Sequence, residues 1–203
     1  MKSYLHTSSP FKWLYPGLIW EVPTKEKQVY LTFDDGPEPR ATNFVLETLK
    51  QFDFKATFFC IGDNVAKHPS TYQNVLDNGH RVGNHTFNHV NGFKTEDSAY
   101  LENTRKAANL IDSNLFRPPY GRIKRSQIKN LKFDYDIIMW SILTGDFDPG
   151  LNPNSALEKI QCLTKPGAIV IFHDSLKALD NLTYLLPRYC EFLRSNGYTS
   201  CQL

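Results

Sequence analysis

Short β-rich runs alternate with helix-period runs along nearly the whole chain, and this alternation narrows the fold more than any other feature. Val29-Tyr30-Leu31-Thr32-Phe33 reads as a buried strand, since such a run needs cover on both faces. Thr42 to Phe52 follows with Phe44, Val45, Leu46, Leu49 and Phe52 at helical spacing. Ala56 to Ile61 is a second strand, and Pro69 to Asp77 a helix closed by Asn78-Gly79. Arg81 to Gly83 is a short third strand, and a helix from Glu96 to Ile111 leads to a strand ending near Arg117. A short helix at Ser126 to Leu131, a strand at Ile137 to Trp140 and a helix at Ser155 to Leu163 come next. Ile169 to Phe172, a helix from Leu179 to Ser195 and a strand at Tyr198 to Leu203 complete the series. Repeated strand–helix units favour an α/β fold with a parallel sheet and outer helices. About seven of them in ~200 residues predict a compact, distorted (β/α)7 barrel.

A length of 203 residues suits one domain, read as a barrel over 28–203 with a segment 1–27 packed on it. Phe11, Trp13, Leu14, Tyr15, Leu18, Ile19 and Trp20 in that segment fit neither period and are expected to cover a barrel end. Hydrophobic residues at 41% and charged residues at 22% exclude disordered and membrane-spanning classes. The net charge of +2 is too small to argue for a nucleic-acid partner. No run approaches the ~20 apolar residues of a membrane helix, and none has signal-peptide length. As written the chain reads as cytoplasmic, or as extracytoplasmic if a leader has been removed. Cys60, Cys162, Cys190 and Cys201 have no Cys-x-x-Cys spacing and are expected mainly as free, buried thiols, with one bridge among the last three left open.

In parallel barrels, chemistry gathers where strands hand over to loops at their carboxyl ends. Unusual polar residues recur at that point here. The first strand runs into Asp34-Asp35-Gly36-Pro37, the third into His85-Thr86-Phe87-Asn88-His89, and the fourth into Arg117-Pro118-Pro119-Tyr120-Gly121. The fifth leads towards Asp146-Phe147-Asp148, and the sixth into His173-Asp174. Each has an ordinary reading. Asp, Gly and Pro favour turns, Arg117 before two prolines can simply anchor one, and a strand-end histidine is usually just hydrogen-bonded. Yet paired carboxylates beside a core are costly, and His85 and His89 at i, i+4 would share one side of a helical turn. Two such histidines suit zinc if a neighbouring Asp supplies a third ligand. Three of the six histidines fall at strand ends, while His6, His68 and His80 read as surface or loop residues.

Taken together, these motifs resemble the polysaccharide deacetylases of carbohydrate esterase family 4, the NodB-homology enzymes. The matching stretches are Thr32 to Pro37, His85 to His89, Arg117 to Gly121 and Ile169 to Asp174, in family order across about residues 28 to 176. The resemblance implies a distorted barrel that removes acetyl groups, most often N-acetyl, from a carbohydrate with the help of a divalent metal. Zinc is the first expectation, with cobalt, nickel and manganese as alternatives. It further implies that Asp35, His85 and His89 ligate the metal, that Asp34 is the general base, and that Arg117 orients it. The Tyr120 backbone N–H would bind the oxyanion, and His173, tuned by Asp146, would be the general acid. One stretch departs: Leu143 stands where the family often has an acid, and Phe147 where it has Trp. Asp148 therefore competes with Asp146 for the place beside His173.

Amide hydrolysis needs an activated water, a stabilised oxyanion and a protonated leaving amine, and this set supplies each. The expected partner is an acetylated carbohydrate, with no nucleic acid and no membrane; monomer and small homo-oligomer both stay open. Two other readings are kept: a relative hydrolysing a small non-sugar amide, and a catalytically silent sugar-binding domain. Loops such as Val90 to Thr95 and Asp146 to Asn154 would choose among peptidoglycan, chitin oligomers and xylan, and the lack of a binding module favours a short or soluble substrate. Phe33, Phe58, Phe59, Phe172 and Trp140 are expected in the core; Tyr120, Phe87 and Phe147 would line a sugar groove.

Overall fold

The computed structural model describes Tyr15 and residues 17–203, so His6, Phe11, Trp13 and Leu14 lie outside the described residues. β1 (Gln28–Asp34) is the centre of the sheet, flanked by β2 (Ala56–Cys60) and by β7 (Ile169–His173). From β2 the sheet continues through β3 (Arg81–Asn84) and β4 (Leu115–Phe116) to β5 (Asp136–Ile137). From β7 it continues to β6 (Ile142–Leu143), and β8 (Thr199–Ser200) pairs the start of β1. Every pairing between these strands is parallel. The two edges, β5 and β6, are consecutive in sequence but at opposite ends of the strand order, so the barrel is open between them. That is the distorted α/β barrel expected from the sequence.

Helices cover the sheet: α1 (Pro39–Phe52), α2 (Gly62–Lys67), α3 (Pro69–Asp77), α4 (Asp97–Ala108), α5 (Arg125–Leu131), α6 (Pro153–Leu163) and α7 (Leu179–Ser195). Their starts have local causes. The Glu38 carboxylate accepts the Arg40 and Ala41 N–H groups at the head of α1, and Asn152 accepts the Ser155 N–H at the head of α6. Pro39, Pro69 and Pro153 sit in the first turns, where the missing N–H is not needed. β1 is buried along almost its whole length, and Phe33 stacks between Phe58 and Phe172 at centroid distances of 5.0 and 5.8 Å. Each such ring contributes roughly 1.5–3 kcal/mol by leaving water.

Several expectations are corrected. The strand expected over Ile137 to Trp140 is only Asp136–Ile137, and Ile142–Leu143 forms a strand of its own on β7. The chain crosses there from one sheet edge to the other, so a single apolar run cannot stay in one ladder. Ile19 lies against Ile138 in that gap, donating to Ile137 O and accepting from Met139 N–H, and Val22 donates to Gly167 O. Leu18 and Trp20 are buried with Tyr100, Phe116, Ile137 and Met139. The helix Gly62–Lys67 was not foreseen. All four cysteines are free, but Cys162 is exposed and Cys201 half-buried, so only Cys60 and Cys190 are buried thiols. His80 is buried rather than superficial: its Nδ1 accepts the Ala56 N–H and its ring meets the edge of Phe58.

Candidate active site

The polar strand ends converge at one end of the sheet. Asp34 closes β1 opposite Phe59 of β2 and His173 of β7 in the ladder. The next residue leaves the strand with φ 78°, so Asp35 is turned by a left-handed backbone and not by strand alternation. Asp174 fixes this turn from below. Its fully covered carboxylate accepts the Gly36 N–H at 3.1 Å and the Thr42 hydroxyl at 2.5 Å, while Thr42 in turn accepts the Glu38 N–H at 2.8 Å. Burial, and then the charge of Asp35, push the Asp174 carboxyl up to about 8 against the pull of these hydrogen bonds.

His85 and His89 do come to one side, but not on a helical turn. Thr86 and His89 have φ values of 62° and 54°, which a right-handed helix excludes. Side chains satisfy the loop instead: Asn84 accepts the Thr86 N–H, Asn103 accepts those of Phe87 and Asn88, and Thr86 Oγ1 accepts that of Val90. The Asp35 Oδ1 atom lies 3.1 Å from His89 Nε2 and 3.7 Å from His85 Nε2. One donor atom from each of these three residues falls within 4.8 Å of the others.

The surroundings prepare Asp35 and His85 as electron-pair donors. Asp35 Oδ1 is buried with no hydrogen-bond partner aligned to it. Burial alone would raise the Asp35 carboxyl, but His89, His173 and His85 outweigh it and hold it below the ordinary carboxylate value. Burial drives His85 down to about 4 despite the pull of Asp34, so the ring is neutral at pH 7. Its Nδ1 meets the Arg117 carbonyl at 2.7 Å, which assigns the proton to Nδ1 and leaves Nε2 as a lone pair. An unpartnered carboxylate oxygen facing two imidazole nitrogens fits a divalent cation, and zinc in particular accepts this donor set.

Arg117 is fully buried, yet it is paired on every side. Its Nη1 donates to Asp34 Oδ1 at 2.6 Å and to Thr32 Oγ1 at 2.8 Å, and Nη2 donates to Met139 O at 3.0 Å. The guanidinium lies 4.0 Å from the Phe59 ring centroid. His173 is gripped by Asp146, whose Oδ2 accepts its backbone N–H and whose Oδ1 faces its Nδ1, both at 2.7 Å. Burial opposes charge on His173, but Asp146 prevails, with smaller help from Asp35 and Asp34, and raises it to about 9. Asp148 is exposed, and its carboxylate accepts the Gly150 N–H instead. The structure therefore brings Asp146, not Asp148, to His173. Asn181 of α7 holds the carbonyls of both aspartates at 2.9 Å.

The aromatic expectations divide. Phe33, Phe58, Phe59 and Phe172 are in the core, and Trp140 is half-buried. Tyr120 is 61% exposed, and Phe147 presents its edge relation to His173 at a centroid distance of 5.0 Å. Phe87 does not face this site. It packs against Gly62 and the hydrophobic core, and the Lys106 ammonium covers its ring at 3.7 Å. Sequence reasoning missed Thr32 and Thr42, whose hydroxyls hold Arg117 and Asp174, and gave Asp174 no task. The only available signal was a polar Thr inside each apolar pattern.

Comparisons with known proteins point to one family. The family model described as polysaccharide deacetylase matches residues 21–135. A peptidoglycan-N-acetylglucosamine deacetylase of Bacillus cereus is 34% identical over 89% of this chain and 88% of its own length. A chitooligosaccharide deacetylase of Rhizobium leguminosarum bv. trifolii is 30% identical over 76% of this chain and 74% of its own. The crystal structure of the Bc1960 peptidoglycan N-acetylglucosamine deacetylase, in complex with a substituted N-hydroxybenzamide, superposes with a TM-score of 0.89 at 28% identity, covering 97% of this chain and 95% of that one. The chain belongs to the polysaccharide deacetylase family. It is a hydrolase of the class that removes N-acetyl groups from carbohydrate.

Proposed function

We propose that this chain is a metal-dependent deacetylase of an N-acetylated glycan, with the glucosamine units of peptidoglycan as first substrate and chitin oligomers as second. The observation that carries the metal is the buried, unpartnered Asp35 Oδ1 facing the Nε2 atoms of His85 and His89. The peptidoglycan preference rests on the higher identity and fuller coverage of the Bacillus cereus relative. It entails a site of action outside the cytoplasm. Among the described residues, no helix is long and apolar enough to cross a membrane.

A zinc ion on Asp35, His85 and His89 would polarise the acetyl carbonyl and make a bound water more acidic. The rest of the chemistry belongs to the chain. Asp34 takes a proton from the attacking water, and Arg117 and Thr32 hold the base in place. Water oxygen bonds to the acetyl carbon while the negative charge forming on the carbonyl oxygen is met by the Tyr120 N–H. His173 then gives its proton to the sugar nitrogen, the C–N bond breaks, and acetic acid leaves with the free amine. Asp146 keeps His173 protonated until that step. The acid ionises to acetate in water, Asp34 gives its proton to solvent, and His173 takes one up again. A silent sugar-binding domain would have no use for a base and an acid so held.

Acetate release from peptidoglycan strands and from chitin oligomers tests this reading. Activity should vanish with a chelator and return on adding zinc. Asp34→Asn should lose at least ~10²-fold in turnover while zinc stays bound. No acetate from any N-acetylated glycan by zinc-loaded protein defeats the proposal, and zinc loss in Asp34→Asn exchanges the two aspartates.

A further inference from the structure

We infer that the Tyr120 hydroxyl is a positioning residue for the metal site: it fixes the proton and the ring plane of His89, so that one short segment, 117–120, orients both histidine ligands. The inference rests on the proposed metal reading and goes beyond it by assigning a task to a side chain that would otherwise count only as part of the sugar groove.

The Tyr120 Oη lies 3.1 Å from His89 Nδ1, and the rings are 4.5 Å apart between centroids at 56°. The opposite nitrogen, Nε2, faces Asp35 Oδ1. A neutral imidazole carries one proton. If Nε2 is to give an electron pair to a cation, that proton sits on Nδ1 and needs an acceptor. The phenol oxygen is placed to accept it. His85 is held in the same manner, its Nδ1 meeting the Arg117 carbonyl. Outer partners of this kind set the tautomer and direction of a metal-bound histidine.

The backbone explains why the phenol can act as a fixed partner although its ring is largely exposed. Tyr120 has φ 61° inside a turn in which Gly121 N–H bonds to Pro118 O and Arg122 N–H to Pro119 O, each at 3.0 Å. Two prolines limit the freedom of that turn. Gly121 follows with φ 64° and lies so close to Trp140 that an added Cβ would be 2.5 Å from the indole. A left-handed backbone at Tyr120 therefore directs the side chain, and the turn cannot relax away from it. The His89 side chain is 23% exposed against 2% for His85, so packing fixes its ring less and an outside partner matters more.

Tyr120→Phe removes the oxygen and keeps the ring, the turn and the backbone N–H. Zinc affinity is measured by competition with a chromophoric chelator, beside wild type and His89→Ala, together with the melting temperature of each metal-free protein. The expected result is about tenfold weaker zinc binding in Tyr120→Phe, less than the loss in His89→Ala, with the metal-free melting temperature equal to wild type. Equal zinc affinity in Tyr120→Phe and wild type overturns the inference and leaves the metal reading standing. A lowered metal-free melting temperature overturns it in favour of a purely structural role. Absence of zinc binding by wild type overturns the metal reading itself, and the inference with it.

Discussion

A guanidinium without solvent contact is costly unless its donors are all engaged. Arg117 meets that condition with Asp34, Thr32 and two carbonyls, which also removes the freedom of the Asp34 side chain to rotate away from the water it is proposed to deprotonate. His173 and Asp146 form the second fixed pair. Carboxylate charge beside an imidazole favours the protonated ring, so removing it lowers the pH at which the ring loses its proton. Asp146→Asn should therefore move the basic limb of the kcat/KM profile down from the region set by a His173 near 9. The deficit should be larger at pH 8 than at pH 6, and a profile that falls uniformly at all pH values would contradict the assignment. The charged residues of the site and the proposed metal donors were legible in the sequence, because Asp, His and Arg after apolar strands demand an explanation. Their hydroxyl supports were not. Thr32 and Thr42 carry no signal that separates them from residues of good strand or helix fit.

At the scale of elements, the strands position and the loops aim. A helical turn is not what joins His85 to His89; that expectation gave way to left-handed residues in the loop, and Asp35 is likewise turned out of β1 by a left-handed backbone. The spacing was read correctly as a meeting of side chains and incorrectly as a helix. The loop conformation depends on Asn84 and on Asn103, the latter in the middle of α4, and no local pattern reports that. The turn after β1 depends in the same way on Asp174, which arrives on the far side of the chain. A Cβ added at Gly36 would be 2.0 Å from an Asp174 carboxylate oxygen. Gly36→Ala should therefore cost about 1–3 kcal/mol, visible as a lower melting temperature, and should weaken zinc binding because Asp35 leads directly into that contact. Unchanged zinc affinity would show the turn to be free of Asp174.

For the whole molecule, a buried histidine away from the site contributes to acid tolerance, in the same direction as His85 and against the raised Asp174. His80 is driven down to about 4 by burial, with Lys55 adding to the effect, against an ordinary value of 6.5. As pH falls below about 6.5 the unfolded chain takes up the proton first, and stability declines until the folded state also binds it near 4. The melting temperature should fall between pH 7 and pH 5, and the fall should be smaller in His80→Gln; an equal slope in both proteins would exclude His80 as the cause. The parallel architecture was readable from the alternation of strands and helices, since each such unit returns the chain to the same end of the sheet. The position of the barrel opening was not, because the run through Ile137 to Ile142 looks continuous while its two ends join opposite sheet edges.

The central place of β1 has a consequence for how the chain is made. Thr32 and its partner Val170 are 138 residues apart, so β1 leaves the ribosome long before the strand that covers one of its edges exists. All three proposed zinc donors are synthesised by His89, whereas His173 and β7 come near the end. A nascent chain can thus display the donors beside an apolar strand edge that has no neighbour, the kind of edge that recruits other chains. The proposed general acid, His173, arrives on the very strand that covers this edge, so the pairing of β1 with β7 and the assembly of the proposed catalytic set are one event.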